Sequence, residues 1–165
     1  MVSPDGCYDQ VVVLQCNIDD MTGEELGFAL ERALDEGALD AWFTPIYMKK
    51  NRPAVVFSVL CRAGEGPRFR DLLLRETSTL GVRWQAMERQ IAERRVEHVD
   101  TPWGSVSCKL KLLAGRVISA KPEFQDCASL ARQHGVPLRC VTNEAEKNIS
   151  RMIQDWSAET KSGRG

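Results

Sequence analysis

The 165-residue sequence holds only two histidines, His98 and His134, and they lie far apart. Its six cysteines, Cys7, Cys16, Cys61, Cys108, Cys127 and Cys140, form no Cys-x-x-Cys pair. These absences remove the spacings of a zinc or soft-metal cage. They also argue against a disulfide framework, since a chain this long can build a core without covalent staples. At least four of the cysteines read as small buried hydrophobes. No apolar run approaches the roughly 18 residues that cross a bilayer. The opening MVSPDGCYDQ lacks the basic and apolar regions of a signal peptide. The expected compartment is therefore the cytoplasm, with no membrane partner. The Gly-x-x-x-x-Gly-Lys-Ser/Thr pattern is missing too, so the common P-loop mechanism has no support.

What is present is a globular composition, 43% apolar and 27% charged, sized for one domain with a small appendage. A net charge of −1 hides a strong asymmetry. Residues 1–42 hold ten acids and one base, residues 43–95 eleven bases and five acids, and residues 96–165 ten bases and eight acids. An acidic segment beside a basic one suits a metal–polyphosphate site; it equally suits two surfaces that pair in water. A general nucleic-acid binder is basic overall, and the strands lack the spaced aromatics of an RNA-recognition sheet, so no nucleic-acid partner is expected.

Residues 11–18 (VVVLQCNI) form a β-branched run expected as a buried strand. Thr22-Gly-Glu-Glu25 is a capping box, followed by Leu26, Ala29, Leu30, Ala33 and Leu34 at helical spacing and by Gly37 at the helix end. Strands are expected over 39–48, with Pro45 marking an edge, and over 54–61, joined by the turn Lys49–Pro53. A helix over about 67–76 and a strand from Val82 complete a β-α-β-β-α-β order. That order predicts an α+β fold: a ferredoxin-like unit over 11–95, with four antiparallel strands and two helices on one face. The remainder, 96–157, reads as a small β-hairpin and two-helix unit. Glu93–Glu97 is a polar tract and Thr101-Pro-Trp-Gly104 a turn. Val106, Cys108, Leu110 and Leu112 alternate as a half-exposed strand, and Pro122 suits the first position of a helix. Residues 1–10 and 158–165 are expected to be flexible ends.

Four segments carry possible chemistry. Asp19 and Asp20, between a buried strand and a helix, can offer hard oxygen ligands to Mg2+ or Mn2+, or simply line a loop near the helix dipole. Lys49, Lys50, Asn51 and Arg52 suit a polyanion, or form a solvated hairpin turn. Between Arg75 and Arg83 lie Thr77, Ser78, Thr79 and Gly81, able to cradle a phosphate or merely to close a helix. Lys121 precedes a helix whose Glu123 and Asp126 favour the dipole, and is left over unless an anion visits.

Taken together, NIDDMTGEEL, FTPIYMKKNRP, RETSTLGVR and KPEFQDC, in this order and spacing, resemble the C-terminal domain of the LarC nickel-insertion proteins over about residues 12–150. The resemblance implies a domain that binds CTP with a divalent cation, Mg2+ or Mn2+, and assembles into homo-oligomers. The full proteins of that family are CTP-dependent cyclometallases that place Ni2+ into a pyridinium bis-thiocarboxylate mononucleotide, the nickel-pincer cofactor of lactate racemase. It further implies Asp19 and Asp20 near the cation. Lys49, Lys50, Asn51, Arg52, Arg75, Thr77, Thr79, Arg83 and Lys121 would hold the nucleotide. The family's larger N-terminal region, with its histidine-rich stretch, has no counterpart in this sequence. Nickel delivery and the pincer substrate are thus expected outside this chain, which alone is expected to be inactive. The competing expectation is a non-catalytic ferredoxin-like module for oligomerisation or ligand sensing.

Overall fold

The computed structural model describes residues 7–162. The chain divides into two compact units, Tyr8–Gln90 and the part from Ile91 onward. No helix among the described residues is long and apolar enough to cross a membrane.

In the first unit the element order is β1 (Cys7–Ile18), α1 (Gly23–Asp35), β2 (Asp40–Met48), β3 (Arg52–Arg62), α2 (Gly66–Glu76) and β4 (Arg83–Ile91). The sheet runs β2-β3-β1-β4, with β3 antiparallel to both β1 and β2. This is the split β-α-β arrangement of the ferredoxin-like fold. Strand alternation explains the core: Leu14, Cys16 and Ile18 of β1 and Phe57, Val59 and Cys61 of β3 face the helices. Ala29 and Ala33 of α1 and Phe69, Leu72 and Leu73 of α2 cover that face. Pro45 sits on β2, an edge strand, the place in a sheet where a residue without an N–H is tolerated.

Helix α1 opens on the expected capping box. Glu25 N donates to the Thr22 hydroxyl at 3.3 Å, and the Glu25 carboxylate accepts from Thr22 N at 2.7 Å. The chain leaves α1 through Gly37, whose φ of 90° a side chain would resist.

The second unit comprises β5 (Glu93–Thr101), β6 (Gly104–Leu113), β7 (Arg116–Pro122), α3 (Phe124–His134) and α4 (Leu138–Ser162). Its three strands form an antiparallel meander, β5-β6-β7. Val106, Cys108, Leu110 and Leu112 point into a core closed by Cys127, Ala131, Val141, Ala145 and Ile149. Four cysteines, Cys16, Cys61, Cys108 and Cys127, are buried and unpaired, as their apolar neighbours implied.

Three local expectations need correction. The polar tract Glu93–Glu97 is the first half of strand β5, held by pairing with β6 (Arg94 opposite Lys111) rather than by burial. Pro122 ends β7 instead of opening α3. Glu123 is the N-cap, and its N–H donates to Ser107 O at 2.7 Å, drawing it toward the sheet. The ends are more structured than expected: β1 begins at Cys7 and α4 runs through Ser162, while 1–6 and 163–165 lie outside the described residues.

Candidate functional site

Three of the four charged segments meet in the first unit because of strand direction. The chain leaves β1 at Ile18, paired with Val55 of β3. The β2–β3 turn lies at that same end, with Met48 opposite Arg52, and so does the connection from α2 into β4. The acidic loop, the basic turn and the hydroxyl-rich loop therefore share one end of the sheet.

Their contacts are specific. Arg52 Nη1 donates to Asp19 Oδ2 at 3.0 Å, linking the basic turn to the acidic loop. The Ser78 hydroxyl donates to Asp20 Oδ1, linking the third segment to the same loop. Ser78 N also meets Met21 Sδ at 3.4 Å. In the three-residue turn Lys50 and Asn51 have φ of 62° and 56°, the left-handed region that residues with a Cβ seldom adopt. Glycine usually fills such positions, and lysine there is uncommon. Lys49, Lys50 and Asn51 are all exposed.

The hydroxyls partly serve the loop. Thr77 Oγ1 donates to Leu73 O at 2.6 Å and satisfies a terminal carbonyl of α2. Thr79 Oγ1 donates to Gly81 O at 3.0 Å. Both threonines also reach the buried Cys16 thiol. Burial pushes that thiol up from its ordinary value, while the two hydroxyls and the nearby Arg83 pull the other way. Arg83 is exposed at the start of β4.

Beside the acidic loop lies an open cavity of about 510 Å³, lined by Asp20, Met21, Glu24, Phe28, Arg75 and Ser78 among others. The structure thus gathers Asp19, Asp20, Lys49, Lys50, Asn51, Arg52, Arg75, Thr77, Thr79 and Arg83 into one unit. Lys121 belongs to the other unit, exposed on β7 opposite Lys109. Nearby, Lys109 pairs with Glu123, and Asp126 accepts from Ser107 N at 2.9 Å. That hydrogen bond, with Ser107's hydroxyl, holds the Asp126 carboxyl below its ordinary value.

Sequence reading missed Met21, Glu24 and Phe28 as cavity-lining residues. Phe28 carried one usable signal: it falls outside the Leu26, Ala29, Leu30, Ala33 stripe, so a large ring is left facing solvent.

The architecture defines the class: an α+β chain of two units, the first ferredoxin-like, with its charged segments collected at one end of the sheet. The chain belongs to the nickel insertion protein family, which matches residues 3–142. A pyridinium-3,5-bisthiocarboxylic acid mononucleotide nickel insertion protein of Staphylococcus saprophyticus is 40% identical over 146 residues, 88% of this chain and 37% of the relative. The chain spans about a third of the length of the curated relatives it matches. Among solved structures, LarC2 is described as the C-terminal domain of a cyclometallase involved in the synthesis of the NPN cofactor of lactate racemase. It is 39% identical with a TM-score of 0.82, covering 87% of this chain and 99% of that one. A protein of Methanopyrus kandleri is 29% identical with a TM-score of 0.62, covering 85% of this chain and 88% of its own. This chain therefore corresponds to the C-terminal domain of the LarC family.

Proposed function

We propose that this chain is the nucleotide-handling domain of a protein that inserts nickel into pyridinium-3,5-bisthiocarboxylic acid mononucleotide, the substrate named for its Staphylococcus relative. The ligand of the first unit is CTP with Mg2+ or Mn2+; nickel is a substrate of the whole protein. The observation that carries this reading is the pairing of Arg52 with Asp19 beside the hydroxyl contact of Ser78 with Asp20. The reading is supported by carboxylates and a guanidinium lying side by side at one end of the sheet.

The donor set suits a shared cation rather than a caged one. Among the described residues no group of three possible protein ligands forms. Mg2+ commonly takes one or two carboxylates and completes its shell with phosphate and water. Asp19 and Asp20 meet that requirement. A cation held there would neutralise phosphate charge and polarise a phosphoryl group.

The chain's own residues position the nucleotide. Lys49, Lys50, Arg52 and Arg83 supply charge for the phosphates, and Asn51 an amide donor. Thr77 and Thr79 shape the loop that Arg75 and Arg83 flank. Arg52 is already oriented by Asp19, so less side-chain freedom is lost when a phosphate arrives. Lys121 would contribute from the second unit. Histidine-poor as this chain is, nickel handling falls to the part of the protein outside it, and this domain alone inserts no nickel.

Exposed aromatics on the edge strands, Tyr47 on β2 (80% exposed) and Trp84 on β4 (52%), favour self-association as a second role. A thermal-shift panel of CTP, ATP, GTP and UTP, with and without Mn2+, separates the two. A ligand at about a hundred times its Kd stabilises by roughly 2.7 kcal/mol, enough to move the melting point by several degrees. A Mn2+-dependent shift with CTP is expected. An oligomer with no nucleotide shift would leave assembly as the domain's role.

A further inference from the structure

The sheet of the second unit has two faces of opposite character. Val106, Cys108, Leu110 and Leu112 of β6 point toward α3 and α4, so Lys109 and Lys111 between them point away from the helices. Register extends that outer face to the neighbouring strands. Arg94 of β5 stands opposite Lys111, Val96 opposite Lys109, and Lys121 of β7 flanks Lys109 on its other side. Like charges directly opposite one another destabilise a sheet, and here two such pairs are adjacent. Of the four cations only Lys109 is compensated, by Glu123. Arg94, Lys111 and Lys121 are exposed and have no hydrogen-bond or ion-pair partner among the described residues. Val96, 53% exposed, leaves an apolar patch beside them. Nothing in the packing of the unit accounts for this clustering.

Paired strands lie about 4.8 Å apart, and alternate residues of one strand about 6–7 Å apart. Arg94, Lys111 and Lys109 thus set out three cations around the apolar Val96, at separations comparable to one aromatic ring with its substituents. A flat ring with anionic groups at two edges and a tethered phosphate fits that layout. The pincer mononucleotide has this chemistry: thiocarboxylates at positions 3 and 5 of a pyridinium, and the phosphate of a mononucleotide. Its negative charges outnumber the single positive charge of its ring. Inorganic phosphate would need only one or two of these cations and would leave Val96 unused.

We propose that the outer face of the β5-β6-β7 sheet docks the pincer mononucleotide, with Arg94 and Lys111 gripping its anionic groups and Val96 meeting its ring. This assignment rests on the substrate of the proposed function and is independent of CTP, whose residues are concentrated in the first unit. Nickel delivery stays outside the chain, whereas the pincer substrate, expected outside it from the sequence, is met by this chain as well. Arg94 and Lys111 act on binding alone. Neither belongs to the nucleotide set, which draws on Lys121 in this unit.

The test is calorimetric titration of the chain with pyridinium-3,5-bisthiocarboxylic acid mononucleotide, with nicotinic acid mononucleotide (one ring carboxylate) and with inorganic phosphate. CTP with Mn2+ is titrated separately. The variants are Arg94→Gln/Lys111→Gln and, as a control of equal charge loss on the helices, Arg132→Gln/Arg139→Gln. The natural chain is expected to bind the bisthiocarboxylate about fivefold or more tightly than nicotinic acid mononucleotide, and phosphate more weakly still. Arg94→Gln/Lys111→Gln should weaken the bisthiocarboxylate by about tenfold or more and leave CTP with Mn2+ within about twofold. It should also melt no lower than the natural chain, because a like-charge pair is relieved. The helix control should hold the bisthiocarboxylate within about twofold. Equal affinity in the natural chain and in Arg94→Gln/Lys111→Gln overturns the assignment. So does an equal loss in the helix control, or phosphate binding as tightly as the bisthiocarboxylate. A chain that binds CTP with Mn2+ but not the bisthiocarboxylate overturns this assignment alone; one that binds neither overturns the proposed function with it.

Discussion

Arg52 and Asp19, thirty-three positions apart, are joined by a 3.0 Å hydrogen bond between guanidinium and carboxylate. The contact exists because β1 and β3 run antiparallel and Ile18 pairs with Val55, bringing the end of one strand beside the start of the other. With side chains 56% and 22% exposed, the pair contributes little to stability, about 0.2–1 kcal/mol. Its significance lies in the placement of opposite charges where a metal-bound polyanion would need both.

Lys50 offers a way to separate folding from binding. Its φ of 62° is unfavourable for any residue with a Cβ and free for glycine. Lys50→Gly should therefore melt no lower than the natural chain, while its affinity for CTP with Mn2+ falls by about threefold or more through the lost phosphate contact. Parallel melting and binding curves check this. A variant that melts lower would mean that the lysine side chain holds the turn together.

Gly104 closes the Thr101–Gly104 turn with a φ of 138°, and a Cβ there would stand 2.8 Å from Leu130 Cδ2. Gly104→Ala should destabilise the chain by about 1–3 kcal/mol. Gly115, with φ of 73° but open space around it, supplies the comparison: Gly115→Ala incurs the backbone strain without the crowding and should melt higher than Gly104→Ala. Urea denaturation of the two variants gives the ranking.

The turns, caps and buried strands were legible because their signals are local. Thr22 with Glu25 announced α1, the Val106–Leu112 alternation announced β6, and Pro45 marked an edge. Strand β5 was not legible, since of Glu93–Thr101 only Val99 is buried and pairing with β6 supplies most of its order. Pro122 misled because its fixed φ suits a strand end as well as a helix start, and only the contact of Glu123 with Ser107 decides between them. The charged segments could be found singly, but the pairing of Asp19 with Arg52 follows from strand register. Phe28 showed only as a ring outside the apolar stripe of α1, and Glu24 gave no signal: what marks both is the cavity between α1 and the end of α2, a product of packing.

Asp126 makes the chain acid-sensitive in a defined direction. Its carboxyl is held below its ordinary value by Ser107, so the folded state favours the ionised form. The resulting stability is complete above the ordinary carboxylate range and is lost as pH falls through the lowered folded value. Melting temperatures followed from pH 6 to about 3 should fall more steeply for the natural chain than for Asp126→Asn, which has nothing to titrate there. Equal slopes would remove Asp126 from the acid response.

Cysteine reactivity should follow burial. Burial is the main cause that raises the thiols of Cys16, Cys61 and Cys127, and it pushes Cys108 up to about 11. The Cys140 side chain is only half-buried. Alkylation of the native chain near pH 8, read by peptide mass spectrometry, should modify Cys140 and spare those four until denaturant is added. Rapid native labelling of Cys16 would show that the loop carrying Thr77 and Thr79 opens readily.

The most direct test of the metal–nucleotide site is calorimetric titration of CTP, with and without Mn2+, into the natural chain and into Asp19→Asn/Asp20→Asn. The account predicts binding that strengthens with Mn2+ in the natural chain. In the double variant that metal-dependent gain should disappear while the melting temperature of the free chain stays within a few degrees, as expected for loop residues outside the core. A double variant that binds CTP with the same Mn2+ dependence would contradict the assignment of the carboxylate pair to the cation.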